Sequence, residues 1–514
     1  MVIRESVSTL RLALRTAGIL ALLLAGDLGA AASPVVSGPE ARTEAAMSAA
    51  VAKYDTDPTS LTLFLEDIPK GGELHHHLSG SVYAESYIDY AAADHDCIDN
   101  TFMFLPPPCN PAKGIWPASH AVDDYAFRNE TIDALSARNF VPGKNDASAN
   151  VHFFLTFFKF DLVVNSHWAQ ELAEVTHRAG LQHIIYIETM FSPDKSRALD
   201  LGTKVGWTND FDKMRTKLDA AGVPALVTQA KKDLASSFAG MRSLLHCDSA
   251  TPDPGCGVTV RVIPFVLRDR PIEQVFAQVQ TDFELAAVDP IVVSVNPVEA
   301  QSDYKSYHLY HETMLIFAYF HKRYPQVHLT MHAGELRGDG SNPPEDDQNP
   351  SEIREAIDIA GAERIGHGID ALYEENPRQL LAEMAAKHIL VEVCGGNWML
   401  PTYLGAGVPV SLSTDDEGVG RINLTYRFTQ AVLHYHIDYL GLKKMVRNSL
   451  EHSFIGGADL WSAPDDYTSM VPACSNQPVT ANPSAACASY LAASPRAKLE
   501  WQEEVAFNDF EARF

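Results

Sequence analysis

The chain has 514 residues, 46% hydrophobic and 21% charged, proportions of a soluble globular protein with room for one large α/β domain carrying insertions, or for two domains. Its formal net charge of −26 at pH 7 argues against nucleic acid as a partner, because that binding needs clustered Lys and Arg that are missing here. The same balance disfavours strongly anionic substrates.

The first elements concern export. Arg4, Arg11 and Arg15 precede an apolar run from Ala17 to Ala25, and Ala30-Ala31-Ala32 stand before Ser33. A charged start, a short apolar middle and a small-residue cleavage site read as a signal peptide over residues 1–32, which predicts a secreted or periplasmic protein. The run is too short to span a bilayer, no cysteine beside it offers a lipid anchor, and no later segment is apolar enough to cross a membrane. Residues 33–68 follow as a helical segment, with the helix running from Pro39 to about Asp67.

From residue 69 to 460 a short, apolar, β-branched run, a loop and a helical pattern recur. The runs are Glu73–His77, His183–Thr189, Val258–Arg268, Ile291–Asn296, Val327–His332, Arg364–His367, Ile389–Cys394 and Val408–Ser413. Apolar strands alternating with helices indicate a parallel sheet covered on both faces, and eight is the number that closes a (β/α)8 TIM barrel. Pro264 fits badly inside the third strand. Asn349 and Pro350 predict the start of a helix whose Ile353, Ala356, Ile357 and Ala360 form one apolar stripe. Long intervals after the first two strands, one containing "FLPPPCNPAKGIWP" and "FFLTFFKFD", predict large insertions. Residues 461–514 form a C-terminal extension.

Seven cysteines accompany this plan. Cys97 with Cys109, Cys247 with Cys256 and Cys474 with Cys487 each flank a Pro- or Gly-containing stretch and read as disulfide-closed loops in an oxidising compartment. Cys394 ends an apolar run and reads as a buried free thiol.

The polar residues cluster at the C-terminal ends of the strands, the face on which barrel active sites are built. In "ELHHH", strand alternation puts His75 and His77 on one face and His76 on the other. "LTMHAGE" adds His332 and Glu335, "RIGHGI" adds His367, and "SLSTDDEGV" adds Asp415 and Asp416. Taken singly, these are a core histidine, a turn residue and a helix cap. Four such clusters on one face outweigh that reading. Three imidazoles and a carboxylate (His75, His77, His332, Asp415) suit Zn2+ with a position left for water, and Glu335 stands where it can exchange a proton with a substrate.

The motifs "PKGGELHHHLSG", "MHAGE", "RIGHG" and "SLSTDDEGV", in that order, resemble the adenosine deaminase family of zinc-dependent barrels, over roughly residues 69 to 455. The exported, cysteine-paired character resembles its secreted members, including the adenosine deaminase-related growth factors. The resemblance implies one zinc held by His75, His77, His332 and Asp415. Glu335 would protonate purine N1, His367 would orient the attacking water and stabilise charge, and Asp416 would bind N7. Ser79 and Gly334 would also meet the substrate. The implied reaction converts adenosine, and 2′-deoxyadenosine, to the 6-oxopurine nucleoside and ammonia. Its partner is a small purine nucleoside, with a homodimer permitted but not required.

Two departures bear on the sugar end. Ser79 stands where the family's cytosolic members carry an aspartate, and "NPVEAQSD" replaces a glycine-containing loop after the fourth strand. The aromatic run Phe153 to Phe160 matches a pocket-lining helix or ordinary core equally well. Alternatives are the same chemistry on adenine, a modified nucleoside or a nucleotide, another barrel metallohydrolase, and a non-catalytic growth-factor-like barrel. Arg337-Gly338-Asp339 matches an adhesion tripeptide, but its loop context favours no such role.

Overall fold

The computed structural model describes residues 38–143, 146, 148–335, 351–395 and 398–514. The export signal, the Asn349–Pro350 helix start and the Arg337-Gly338-Asp339 tripeptide lie outside the described residues.

Eight parallel strands form one sheet in chain order: β1 (Gly71–His77), β2 (Ile184–Phe191), β3 (Thr259–Leu267), β4 (Ser294–Val298), β5 (His328–Ala333), β6 (Arg364–His367), β7 (Leu390–Cys394) and β8 (Val410–Ser413). The sheet closes on itself just past β8. The Asp415 N–H donates to the His75 carbonyl at 3.0 Å, and the His77 N–H donates to the Asp415 carbonyl at 3.1 Å. The result is a (β/α)8 TIM barrel whose large insertions follow β1 and β2.

Pro264 is accommodated by a register change. Val262 bridges Val292, whereas Phe265 pairs with Asn296, so one extra residue enters the β4 side between the two contacts. Proline supplies no N–H, and it falls where the ladder is interrupted. The same slip moves the fourth strand from the expected Ile291–Asn296 to Ser294–Val298. Ile353, Ala356, Ile357 and Ala360 are all buried, on a helical turn Glu352–Glu355 that widens into a π turn over Ala356–Ala360.

The first insertion carries helices Ala84–Ala93, Tyr125–Ala134 and Ala149–Val164 and a small antiparallel sheet around Cys97–Asp99. The second carries helices Arg197–Val205, Phe211–Ala221 and Val223–Leu244. The expected N-terminal helix is two, Gly38–Ala52 and Pro58–Asp67, divided where Pro58 opens the second. Helix Pro495–Glu511 of the C-terminal extension covers the N-terminal end of the barrel. Its Glu503 accepts the Gly71 N–H at 2.8 Å, and Leu499 joins an apolar cluster with Leu74, Tyr186 and Leu390. With that end sealed, the opposite mouth is left for chemistry. Among the described residues no helix is long and apolar enough to cross a membrane.

Disulfides join Cys97–Cys109, Cys247–Cys256 and Cys474–Cys487, and Cys394 is a buried free thiol. Burial pushes the Cys394 thiol well up, which leaves it unreactive. Peptide mapping of unreduced protein by mass spectrometry is expected to return these three links. Cys394 should react with a thiol reagent only after denaturation, and its labelling in native protein would contradict the packing of β7.

Candidate active site

The end of β1 presents His75 and His77 on one face, with β5 supplying His332 from across the barrel. The three imidazoles form a triangle with ring centroids 4.5 to 5.3 Å apart. His75 Nε2 lies 3.1 Å from His332 Nε2. Asp415 Oδ1 lies 3.3 Å from His77 Nε2 and 3.7 Å from His75 Nε2. His76 turns the other way, its Nδ1 2.9 Å from the Thr189 hydroxyl, and burial holds it down at about 3.

The close pair of nitrogens has a definite protonation. His75 Nδ1 faces the Glu392 carboxylate at 2.7 Å, an acceptor only, so this nitrogen carries the proton. His332 Nδ1 faces Asn296 Oδ1 at 3.1 Å, and that oxygen is identified because it also accepts the His332 backbone N–H. Both Nε2 atoms therefore present bare lone pairs to each other in the neutral imidazoles. Burial pushes His332 well down and His77 to about 4, keeping them neutral, while the hydrogen bond to Glu392 and the Asp415 charge outweigh burial at His75 and raise it.

Behind this triangle runs a chain of buried charges. Thr330 Oγ1 and Arg364 Nε each donate to Glu392 Oε1 at 2.7 Å. Arg364 Nη2 reaches Glu188 at 2.6 Å, and Glu188 also accepts the Tyr186 hydroxyl and the Phe454 N–H. Burial alone would raise Glu392, but Arg364 and its hydrogen bonds hold it at about 2. Gly366 is required beneath this pair: a Cβ there would stand 2.7 Å from His75 Cε1.

Glu335 follows β5 after Gly334, whose φ of +68° and closeness to Ile353 suit only glycine. Arg268 Nη2, at the end of β3, donates to Glu335 Oε2 at 3.2 Å, and Arg268 Nη1 donates to the His332 carbonyl at 3.0 Å. Glu335 Oε1 is thereby turned toward His367 Nε2, 3.6 Å away, which in turn lies 3.9 Å from Asp415 Oδ2. Gln301 fixes the Glu335 backbone by accepting its N–H at 2.8 Å. His367 and Asp415 occupy left-handed backbone at φ +66° and +70°, a strain of about 1–3 kcal/mol each that an over-determined site sustains. Burial, and then the neighbouring Asp415, push Asp416 well up; among the described residues its Oδ1 has no hydrogen-bond partner. Ser79 is half-buried and precedes Gly80, which packs against Asp416. The aromatic run divides: Phe160 is buried, whereas Phe158 is 64% exposed.

All the residues singled out from the motifs thus gather at the barrel mouth. Sequence reasoning passed over Glu188, Arg268, Asn296, Gln301, Arg364 and Glu392. For Glu188, Asn296, Arg364 and Glu392 the available signal was a charged or amide residue inside an otherwise apolar parallel strand, where burial is costly without a partner, whereas Arg268 and Gln301 lie just past their strands.

The family model for adenosine deaminase matches residues 166–459. The chain belongs to the adenosine deaminase family. The adenosine deaminase of Clostridium perfringens is 35% identical to it over 138 residues, 24% of this chain and 37% of that protein. For that of Clostridium kluyveri the figures are 26% over 218 residues, 40% of this chain and 56% of that protein. The match therefore spans less than two thirds of either relative. A zinc-bound amidohydrolase structure from Burkholderia ambifaria shares the fold, with a TM-score of 0.50 at 16% identity over 77% of this chain and 89% of that one.

The donor set of this deaminase-family chain fits the metal that its family implies. Atoms around a four-coordinate zinc at about 2.0–2.1 Å lie roughly 3.3 Å apart. The separations of 3.1 Å between His75 and His332 and of 3.3 and 3.7 Å from Asp415 to His77 and His75 bracket that value, and His75, His77 and His332 form one close group of donors. His77→Ala is expected to lose bound metal, whereas His76→Ala keeps it, as measured by elemental analysis of purified protein. Glu392→Gln is expected to weaken metal affinity by about 10- to 100-fold in a chelator competition.

Proposed function

We propose that the protein is an exported, zinc-dependent deaminase of adenosine and 2′-deoxyadenosine, releasing ammonia and the corresponding inosine. The observation that carries this reading is the pair of bare imidazole nitrogens 3.1 Å apart, with the Asp415 carboxylate beside them and Glu335 on the adjoining rim. A zinc ion held by His75, His77, His332 and Asp415 would supply the Lewis acidity that makes water a nucleophile near neutral pH.

The chain's own groups would do the rest. Glu335 delivers a proton to purine N1, which makes C6 electrophilic. Arg268 occupies Oε2, so the proton travels on Oε1. His367 orients the attacking water and stabilises charge as oxygen adds to C6. The amino group leaves as ammonia and a 6-oxopurine remains. N7 of a purine is an acceptor, so Asp416 serves it as a donor when its carboxyl carries a proton, the form that burial favours.

A nucleoside is favoured over a nucleotide by the chain's formal net charge of −26, which disfavours added phosphate. Export is supported by the signal-like N-terminus and by three disulfides, which persist in oxidising compartments.

Glu335→Gln keeps size and hydrogen bonding but cannot cycle a proton. It is expected to retain full metal content and ground-state purine binding while turnover falls at least about 100-fold. Ultraviolet assays on adenosine, 2′-deoxyadenosine, adenine and AMP should rank the two nucleosides first. Loss of metal in Glu335→Gln, or near-full turnover, would refute the proton-donor role; a preference for AMP or adenine would refute the substrate.

A further inference from the structure

The turn after β1 and the turn after β8 are pressed together. Gly80 approaches Asp416 so closely that a Cβ would stand 1.5 Å from Asp416 Oδ1, and a Cβ on Gly418 would stand 2.1 Å from the Val82 carbonyl. Ser81 Oγ donates to the Asp415 carbonyl at 3.3 Å. Where the backbone of Ser79 and Gly80 stands therefore limits where the Asp416 carboxyl can stand.

That backbone is held from the first insertion. The Tyr87 hydroxyl donates to the Ser79 carbonyl at 2.7 Å. Tyr87 is fully buried, and its ring stacks on Phe160, centroids 4.6 Å apart and planes 12° from parallel. Phe160 belongs to helix Ala149–Val164 and Tyr87 to helix Ala84–Ala93, both within the insertion. A tyrosine that only filled volume would need no hydroxyl, and a buried hydroxyl is costly unless paired. Here it is spent on the one carbonyl that precedes Gly80.

We propose that Tyr87 is a positioning residue: through its hydroxyl bond to Ser79, and with Phe160 stacked on its ring, the first insertion sets the turn that places Asp416 for purine N7. This rests on the reading of Asp416 given above, and it assigns the insertion a part in substrate recognition.

The test is Tyr87→Phe in metal-loaded protein that also carries Glu335→Gln, so that adenosine is bound with little turnover, with adenosine and 7-deazaadenosine as a ligand pair that differs only at N7. With Tyr87 intact, adenosine is expected to bind about tenfold more tightly, the worth of one hydrogen bond. Tyr87→Phe should lose most of that preference, through weaker adenosine binding, while 7-deazaadenosine affinity and metal content stay unchanged. Phe160→Leu, which keeps the hydroxyl and removes the stacked ring, should lower the preference in the same sense and serves if Tyr87→Phe does not fold. Equal weakening of both ligands, or a preference left intact, would overturn the proposal while leaving the deaminase reading standing. Indifference to N7 with Tyr87 intact would instead overturn the role of Asp416, and this inference with it.

Discussion

Asp415 is used twice, and the rest of the site depends on it. Its backbone makes both bonds that join the last strand to the first, and its carboxylate faces the two histidines of that first strand. Closing the barrel and assembling the donor set are thus one event. The strained φ of +70° lets one residue do both, since in extended geometry its carbonyl and its side chain would not meet the same strand end. His367 shows the same conformation at the end of β6, so two strand ends bend their last side chain over the mouth.

Three imidazoles crowded together need their tautomers fixed, and the barrel interior does this with charge. Glu392 takes the His75 proton, Arg364 balances Glu392, and Glu188 balances Arg364. Buried ion pairs of this kind are seldom a net source of stability, because desolvation offsets most of the attraction. Their value lies in direction. Each partner is held by at least two others, so the His75 lone pair points one way only.

The architecture was legible because its signals are local. A run of β-branched residues announces a strand wherever it pairs, and the alternation in "LHHH" separates His76 from its neighbours before any partner is known. The fourth strand was displaced because the bulge at Pro264 shows itself only through pairing with another strand. Glu392, Arg364 and Glu188 were illegible for a related reason. Each sits in an apolar run and gains meaning only from the barrel order that makes them neighbours. Gly80 and Gly366 read as turn and strand-end residues, whereas their real duty is to leave room for Asp416 and His75. Tyr87 carried no signal at all, since a tyrosine in a helix is ordinarily core.

The two ends of the barrel divide the work. At the N-terminal end the contacts join neutral donors to carboxylates or pair opposite charges: Gly71 with Glu503, and Arg447 with both oxygens of Glu504 at 2.6 and 2.8 Å. Lys70 gives its three ammonium hydrogens to the carbonyls of Glu66, Ile68 and Gln182, which offsets the burial that pushes it down. Among the described residues the unmatched atoms there include single oxygens of Glu500 and Glu503 and the Trp461 Nε1. At the C-terminal end the mismatches fall on the residues of the candidate site itself. His75 and His332 bring their Nε2 atoms to 3.1 Å, Asp416 Oδ1 has no partner among the described residues, and Glu299, His367 and Asp415 hold left-handed backbone. Such mismatches survive only where closure of the whole barrel enforces them, so the sealed end sustains the strain that the open end uses.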